Sequence, residues 1–283
     1  MNDLSQKAKQ IGIIPKRSSG QNFLIDENIL NQIVECSDIK SSDKILEIGP
    51  GFGILTKHLL EKGAFVLAVE MDKKLASHMR ETFSKYKNLH ILEKDILKVS
   101  NKEIADILGK NFRVVSNIPY QITGKIVKKF LSSDLPKPCS ACLLIQKEVA
   151  QRICAKQGSM SLLSLSVQLY SDPEICFNVP KEAFWPEPKV ESSFLCMKNI
   201  SEKPKTSPSP SLAGGEEFER RFWQIARIGF SSPRKQLKNN IANGLKCDPE
   251  VTKQAIINSG LKENIRAQEL TIGDWVKLIK ALD

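Results

Sequence analysis

Asn117, Ile118, Pro119 and Tyr120 are consecutive residues whose types and order could do chemistry on an amine. An exocyclic amino group on an aromatic ring is a poor nucleophile because its lone pair is delocalised into the ring. Hydrogen-bond acceptors aimed at its N–H bonds favour a pyramidal nitrogen and free that pair. The side-chain carbonyl of Asn117 and the backbone carbonyl of Ile118 can supply two such acceptors. Pro119, with a fixed φ and no N–H, can hold the Ile118 carbonyl turned toward a site. Tyr120 offers a flat face on which a flipped base can stack. Asn and Pro are also ordinary turn residues at a strand end, so the chemical reading requires an electrophile bound at the same edge.

The stretch LEIGPGFGILTKHL supplies a place for one, with Gly49, Gly51 and Gly53 between a predicted strand and a predicted helix. Glycine lets backbone approach a ligand closely and tolerates positive φ. A dinucleotide fingerprint would place its third glycine at position 54, which is Ile54. The G-x-G-x-G spacing, preceded by Glu47, is instead similar to motif I of methyltransferases that use S-adenosylmethionine. Two acids fall at the ends of the next two predicted strands. Glu70 closes FVLAVE, where a carboxylate can accept from both ribose hydroxyls, and Asp95 follows LHILEK, where it can accept from an adenine amino group. A methyl group carried on a sulfonium is already activated, so transfer needs in-line positioning and no dedicated nucleophile or strong base. A second aromatic should close the other face of the base, and Phe184 or Trp185 in EAFWPEPKVESS is placed to do so.

These residues need a scaffold of alternating strands and helices. The runs 44–48, 65–69, 89–92, 112–116 and 141–145 read as strands buried on both faces, with amphipathic stretches between them. That pattern predicts an α/β fold, a mostly parallel sheet covered on both sides by helices. The runs 163–170 and 192–199 could extend the sheet as antiparallel strands. The Pro/Ser-rich stretch 199–215 reads as a linker. Beyond it the pattern is helical: Phe218, Phe222 and Ile225 share a face, Ser231-Ser232-Pro233 offers a helix start, and Thr271 with Asp274 forms a capping box. The expected division is a flexible basic arm over 1–19, a catalytic domain over 20–198, a linker over 199–215 and a helical domain over 216–283.

With 41% hydrophobic residues the chain can build a packed core, and no apolar run approaches the ~18 residues of a membrane span. The N-terminus lacks the apolar middle of a secretory signal, so a cytoplasmic location without membrane contact is expected. The net charge of +10 points to a polyanionic partner. Between Arg220 and Lys246 there are seven basic residues and no acidic one, which marks a phosphate-contacting surface. The seven cysteines are scattered, and Cys139 with Cys142 forms a CxxC with no second pair or suitably spaced histidine. Reduced thiols and no metal site are the expectation.

Together the motifs resemble the KsgA/RsmA family of ribosomal RNA adenine dimethyltransferases, which includes the eukaryotic Dim-type enzymes. The ordered series is GQNFLID (20–26), LEIGPGFGILT (46–56), VEMD (69–72), KDIL (94–97), NIPY (117–120), QKEVAQRI (146–153), FWPEPKVESS (184–193) and FSSPRKQLKNNI (230–241). The resemblance implies a Rossmann-like methyltransferase domain followed by a small all-helical domain. It implies that Asn22, Leu24, Gly49, Gly51, Glu70, Asp95 and Asn117 bind S-adenosylmethionine. It also implies that 117–120 hold the target amine, and that Phe184 rather than Trp185 stacks on the base. The implied reaction is dimethylation of N6 on two adjacent adenosines near the 3′ end of 16S rRNA, in an assembling small subunit, by a monomeric enzyme. Two rivals share the cofactor motifs: an Erm-type enzyme acting on large-subunit rRNA, and a non-catalytic assembly or transcription factor on the same fold. The first differs at 230–241 and the second would have degenerate cofactor residues. Gly124-Lys125 and Met160-Ser161-Leu162 depart from the family's usual Ser/Thr-Pro and aromatic-Gly-Arg, which would loosen a helix start and remove a charge facing RNA.

Overall fold

The computed structural model describes residues 6, 8, 10–13, 21–131, 135–205 and 215–282. The remaining part of the expected N-terminal arm, and 206–214 of the expected linker, lie outside the described residues.

Alternation builds the sheet as the apolar runs require. In chain order the elements are β1 (Phe23–Leu24), α1 (Glu27–Cys36), β2 (Lys44–Ile48), α2 (Ile54–Glu61), β3 (Phe65–Glu70), α3 (Lys73–Thr82), β4 (Leu89–Glu93), α4 (Asn101–Leu108), β5 (Arg113–Asn117), α5 (Thr123–Leu131) and β6 (Ser140–Gln146). Then follow α6 (Lys147–Ile153), α7 (Leu162–Gln168), β7 (Asp172–Val179), β8 (Phe184–Trp185), β9 (Ser192–Lys198), α8 (Gly215–Gly229), α9 (Leu237–Leu245), α10 (Pro249–Asn258) and α11 (Ile272–Leu282). The large sheet runs β4-β3-β2-β5-β6-β9-β7. The first five strands in that order are parallel and β9 and β7 are antiparallel additions. The central strands are buried on both faces: Ile45, Leu46, Val66, Leu67, Val114, Val115, Leu143 and Leu144 have no exposed surface.

Strand order reverses between β2 and β5, and such a switch point opens a crevice at the carboxyl ends of the strands. Backbone pairing of these two strands ends at Leu46 with Val114. Beyond it, the buried Ser116 hydroxyl accepts from Ile48 N–H at 3.2 Å and donates to the Ile48 carbonyl at 2.7 Å. One side chain therefore bridges the strand ends where their ladder has parted, fixing Gly49 relative to Asn117.

Two compact units result: Met1–Ala150 with Asp172–Glu202, and Gln151–Ser171 with Lys203–Asp283. The segment 151–171, expected in the catalytic domain, falls in the second unit for a hydrogen-bonding reason. The Gly158 and Met160 N–H groups both donate to the Gln268 carbonyl, at 2.9 and 3.1 Å, and the Tyr170 hydroxyl donates to Glu219.

Three local expectations are corrected. Residues 163–170 form no strand, because Ser161 and Ser164 cap each other's backbone and start α7. Ser231-Ser232-Pro233 forms a turn, and α9 starts later, after Gln236. The arm is packed where it is described: Ala8 and Ile13 are buried against Phe52 and Leu75, and Lys74 Nζ donates to the Gly12 carbonyl at 2.9 Å. The capping box of α11 is present, with Thr271 N–H on Asp274 at 3.0 Å and Asp274 N–H on Thr271 Oγ1 at 3.2 Å. Met160 is buried, and Ser161 is the cap of α7.

Candidate active site

A cavity of about 300 Å³ sits at the switch point. Asn22, Leu24, Gly49, Gly51, Glu70, Asp95, Asn117, Ile118, Pro119 and Tyr120, residues separated by up to 98 positions in the chain, all line it.

Glycines make the floor. Gly49, Gly51 and Gly53 take φ of 62°, 62° and 76°, a region costly for residues with a Cβ. Space forbids one too: a Cβ on Gly51 would lie 2.6 Å from the Phe23 ring, and one on Gly53 2.4 Å from Phe83. The loop thus brings backbone to the cavity with aromatic rings packed directly behind it.

Glu70 is 4% exposed at the end of β3. Its Oε2 accepts from Gly51 N–H at 3.1 Å and its Oε1 from Asp72 N–H at 2.9 Å. Burial raises its pKa, and these backbone N–H bonds pull the other way. Each carboxylate oxygen retains a lone pair, so the group can still accept from a ligand's vicinal hydroxyls. Asp95 Oδ1 accepts from Leu97 N–H at 3.0 Å, capping a short 3-10 turn (Ile96–Lys98) and aiming that backbone at the cavity.

Asn117 ends β5. Its Nδ2 donates to the Asn22 carbonyl at 3.0 Å, so one of its two N–H donors is held by the protein and Oδ1 keeps its acceptor capacity. The Pro119 carbonyl accepts from Ile122 N–H at 3.1 Å, bending the chain sharply after the motif. The Tyr120 hydroxyl is 2.6 Å from Ser192 Oγ, which fixes the ring plane, and burial raises its pKa.

Phe184 is the expected site residue that the structure does not bring to the cavity. It is 3% exposed, pairs with Leu24 across β1 and β8, and packs in the core with Leu30 and Val179. Its apolar surroundings reflect the two-stranded ribbon, in which Phe23 pairs with Trp185 and their rings stack at 6.3 Å. Through Leu24, Phe184 buttresses one wall.

Several lining residues carried little signal of their own. Glu47 is 2% exposed, accepts from Thr56 Oγ1 at 2.6 Å, and burial pushes its pKa up to about 8, against the Thr56 hydrogen bond and assisted by Glu70. Its position before the glycine loop was the available signal. Met71, 72% exposed at the rim, directly follows Glu70. Among the described residues, no three His, Cys, Asp or Glu are arranged to hold a metal ion. A glycine floor, paired acceptors for a ribose and a backbone edge for a base fit a nucleoside-bearing cofactor such as S-adenosylmethionine.

Fold and cavity define the class: a Rossmann-like methyltransferase with an appended helical unit. Comparison with known proteins narrows it. Residues 15–283 match the family described as ribosomal RNA adenine dimethylase. A ribosomal RNA small subunit methyltransferase A from Dehalococcoides mccartyi is 38% identical over 265 residues, covering 93% of this chain and 87% of the relative. One from Alkaliphilus oremlandii is 38% identical, covering 92% and 88%. A dimethyladenosine transferase from Plasmodium falciparum superposes with a TM-score of 0.69 at 27% identity, covering 90% and 95%. The 23S rRNA methyltransferase ErmE superposes at 0.71 with 24% identity, covering 92% and 99%, a likeness of fold. The chain belongs to the ribosomal RNA adenine dimethylase family. It is a methyltransferase that modifies rRNA, and S-adenosylmethionine is its methyl donor.

Proposed function

We propose that this enzyme dimethylates N6 of two adjacent adenosines near the 3′ end of 16S rRNA, acting as a monomer on the assembling small ribosomal subunit. The observation that carries the chemistry is the Asn117–Asn22 hydrogen bond. It leaves the Asn117 carbonyl, beside that of Ile118, as an acceptor at the cavity. S-adenosylmethionine supplies a methyl group activated on a sulfonium. The chain's part is to position: Glu70 takes the ribose, Asp95 and the Ile96–Lys98 turn take the adenine, and the two carbonyls orient the target amine in line with the methyl. Tyr120 presents its ring to the flipped base. Phe184, held in the core, supports the wall at Leu24 and is proposed to meet the base only through movement of the β1–β8 ribbon.

The helical unit supports an RNA partner. Arg227, Arg234, Lys235 and Lys246 are exposed and form no ion pair among the described residues, whereas Lys238 pairs with Glu263. A concentration of uncompensated positive charge favours a phosphate backbone. Choice of the small subunit is supported by relatives of that name at 38% identity. Labelled S-adenosylmethionine supplied with both subunits from a methylation-deficient strain tests the reading. Label should map to adjacent adenosines of 16S rRNA; label in large-subunit rRNA, or none, would overturn it.

A further inference from the structure

Between α8 and α9, residues 230–236 form a turn that is tied down from several sides, although methyl transfer itself does not call for its rigidity. Asn240, one turn into α9, is 4% exposed. Its Nδ2 donates to the Gly229 carbonyl at 2.7 Å and to the Ser232 carbonyl at 3.0 Å, so both of its N–H groups are engaged. The first acceptor ends α8, where a helix carbonyl has no partner within the helix. The second also accepts from Lys235 N–H at 2.9 Å, closing the chain over Pro233 and Arg234. Pro233 adds a fixed φ. Both flanks are anchored as well. The Phe230 ring lies 5.6 Å from that of the fully buried Trp275, and a Cβ on Gly229 would fall 2.5 Å from the same Trp275 ring. On the other flank, Leu237 N–H donates to the Ile265 carbonyl at 2.8 Å and its side chain has no exposed surface. From this support Arg234 and Lys235 stand exposed, with no ion pair among the described residues.

We propose that the turn 230–236 is a preformed contact for the RNA phosphate backbone and that Asn240 is its positioning residue, fixing the backbone from which Arg234 and Lys235 project. The proposal rests on the reading of the helical unit as the RNA-binding unit, and it names the buried group that makes the turn effective. Asn240 is too buried to touch RNA. It acts by holding in the free protein the order that a loose loop would have to acquire on binding. The number of phosphates neutralised is set by Arg234 and Lys235. Loss of the Asn240 amide should therefore lower affinity and leave the salt dependence unchanged, whereas loss of either cation should lower both.

The test is filter binding of the full chain to unmethylated small ribosomal subunits across a salt series, with calorimetric titration of S-adenosylmethionine on the same preparations. Asn240→Ala should weaken subunit binding by about tenfold at each salt concentration, with the parental salt slope and parental cofactor affinity. KM for subunits should rise in step, while single-turnover transfer at saturating subunit stays within about twofold of the parent. Arg234→Ala and Lys235→Ala should each weaken binding and lower the slope by about 1. Pro233→Gly loosens the turn at an exposed position, and it too should weaken binding with the slope kept. Parental subunit affinity in Asn240→Ala or, where that variant does not fold, in Pro233→Gly would overturn the proposal. So would a slope lowered as in Arg234→Ala, or a parallel loss of cofactor affinity. Arg234→Ala and Lys235→Ala binding like the parent would remove the phosphate reading of this turn and the proposal with it. Weakening by those two alone would keep that reading and remove the role of Asn240.

Discussion

Replacing Gly51 by alanine tests the glycine floor quantitatively. At φ 62° a Cβ-bearing residue pays a backbone penalty of about 1–2 kcal/mol. The new Cβ would also lie 2.6 and 2.8 Å from two carbons of the Phe23 ring, which must move. That overpacking adds about 1–3 kcal/mol, for a total of about 2–5 kcal/mol. The ring has little freedom, since it packs on Phe52 at 4.8 Å and on Trp185 at 6.3 Å. Its displacement moves β1 and with it Asn22, the partner of Asn117. Calorimetric titration with S-adenosylmethionine and chemical unfolding together measure where the cost falls, as weaker cofactor binding, lower stability or both. Gly124→Ala is the matched control, because a Cβ there meets nothing within 4 Å. It lies in α5, so it should stabilise by up to about 1 kcal/mol. Gly51→Ala leaving both affinity and stability within about 0.5 kcal/mol of the parent would refute the reasoning, since surface changes of no structural consequence fall in that range.

Ser116→Ala should leave both backbone groups of Ile48 without their partner, costing about 1–3 kcal/mol in unfolding free energy and lowering methyl transfer more than cofactor affinity. Glu47→Gln should flatten the pH dependence of stability. The folded carboxyl, with its pKa raised to about 8 from 4.5, holds a proton that the unfolded chain releases. Its contribution is therefore full below about pH 4.5 and lost as pH rises through about 8, and melting temperatures at pH 6 and 8.5 should converge in the variant. Replacing Arg227, Arg234, Lys235 and Lys246 singly with alanine should weaken RNA binding at all sequences and reduce the salt slope by about 1 for each residue that contacts a phosphate, read by filter binding across a salt series.

The apolar runs made the parallel sheet legible, because strands buried on both faces leave little choice of side chain at 45–48, 66–69 and 114–115. The positions at the strand ends were legible for the same reason: once Gly49, Glu70, Asp95 and Asn117 end successive strands, topology alone gathers them. Short-range ambiguity hid other features. The alternation Leu163-Ser164-Leu165-Ser166 satisfies a strand period, and only the reciprocal Ser161–Ser164 cap turns it into α7. The tie of Gln268 to Gly158 and Met160 spans more than a hundred residues and leaves no local pattern, so the membership of 151–171 in the second unit could not be read. The motif containing Phe184 pointed to an aromatic over the base, but it could not show that the β1 pairing holds that ring in the core.

The most direct test of the central claim, that carbonyls at 117–118 ready an adenine amine for methylation, is single-turnover methyl transfer by Asn117→Ala with cofactor and small subunit both saturating. The predicted result is a rate lower by about 10²–10³, the scale set by losing one preorganised hydrogen-bonding group at a reacting centre, with subunit binding unchanged. Retained transfer, or subunit binding that falls as far as the rate, would contradict it.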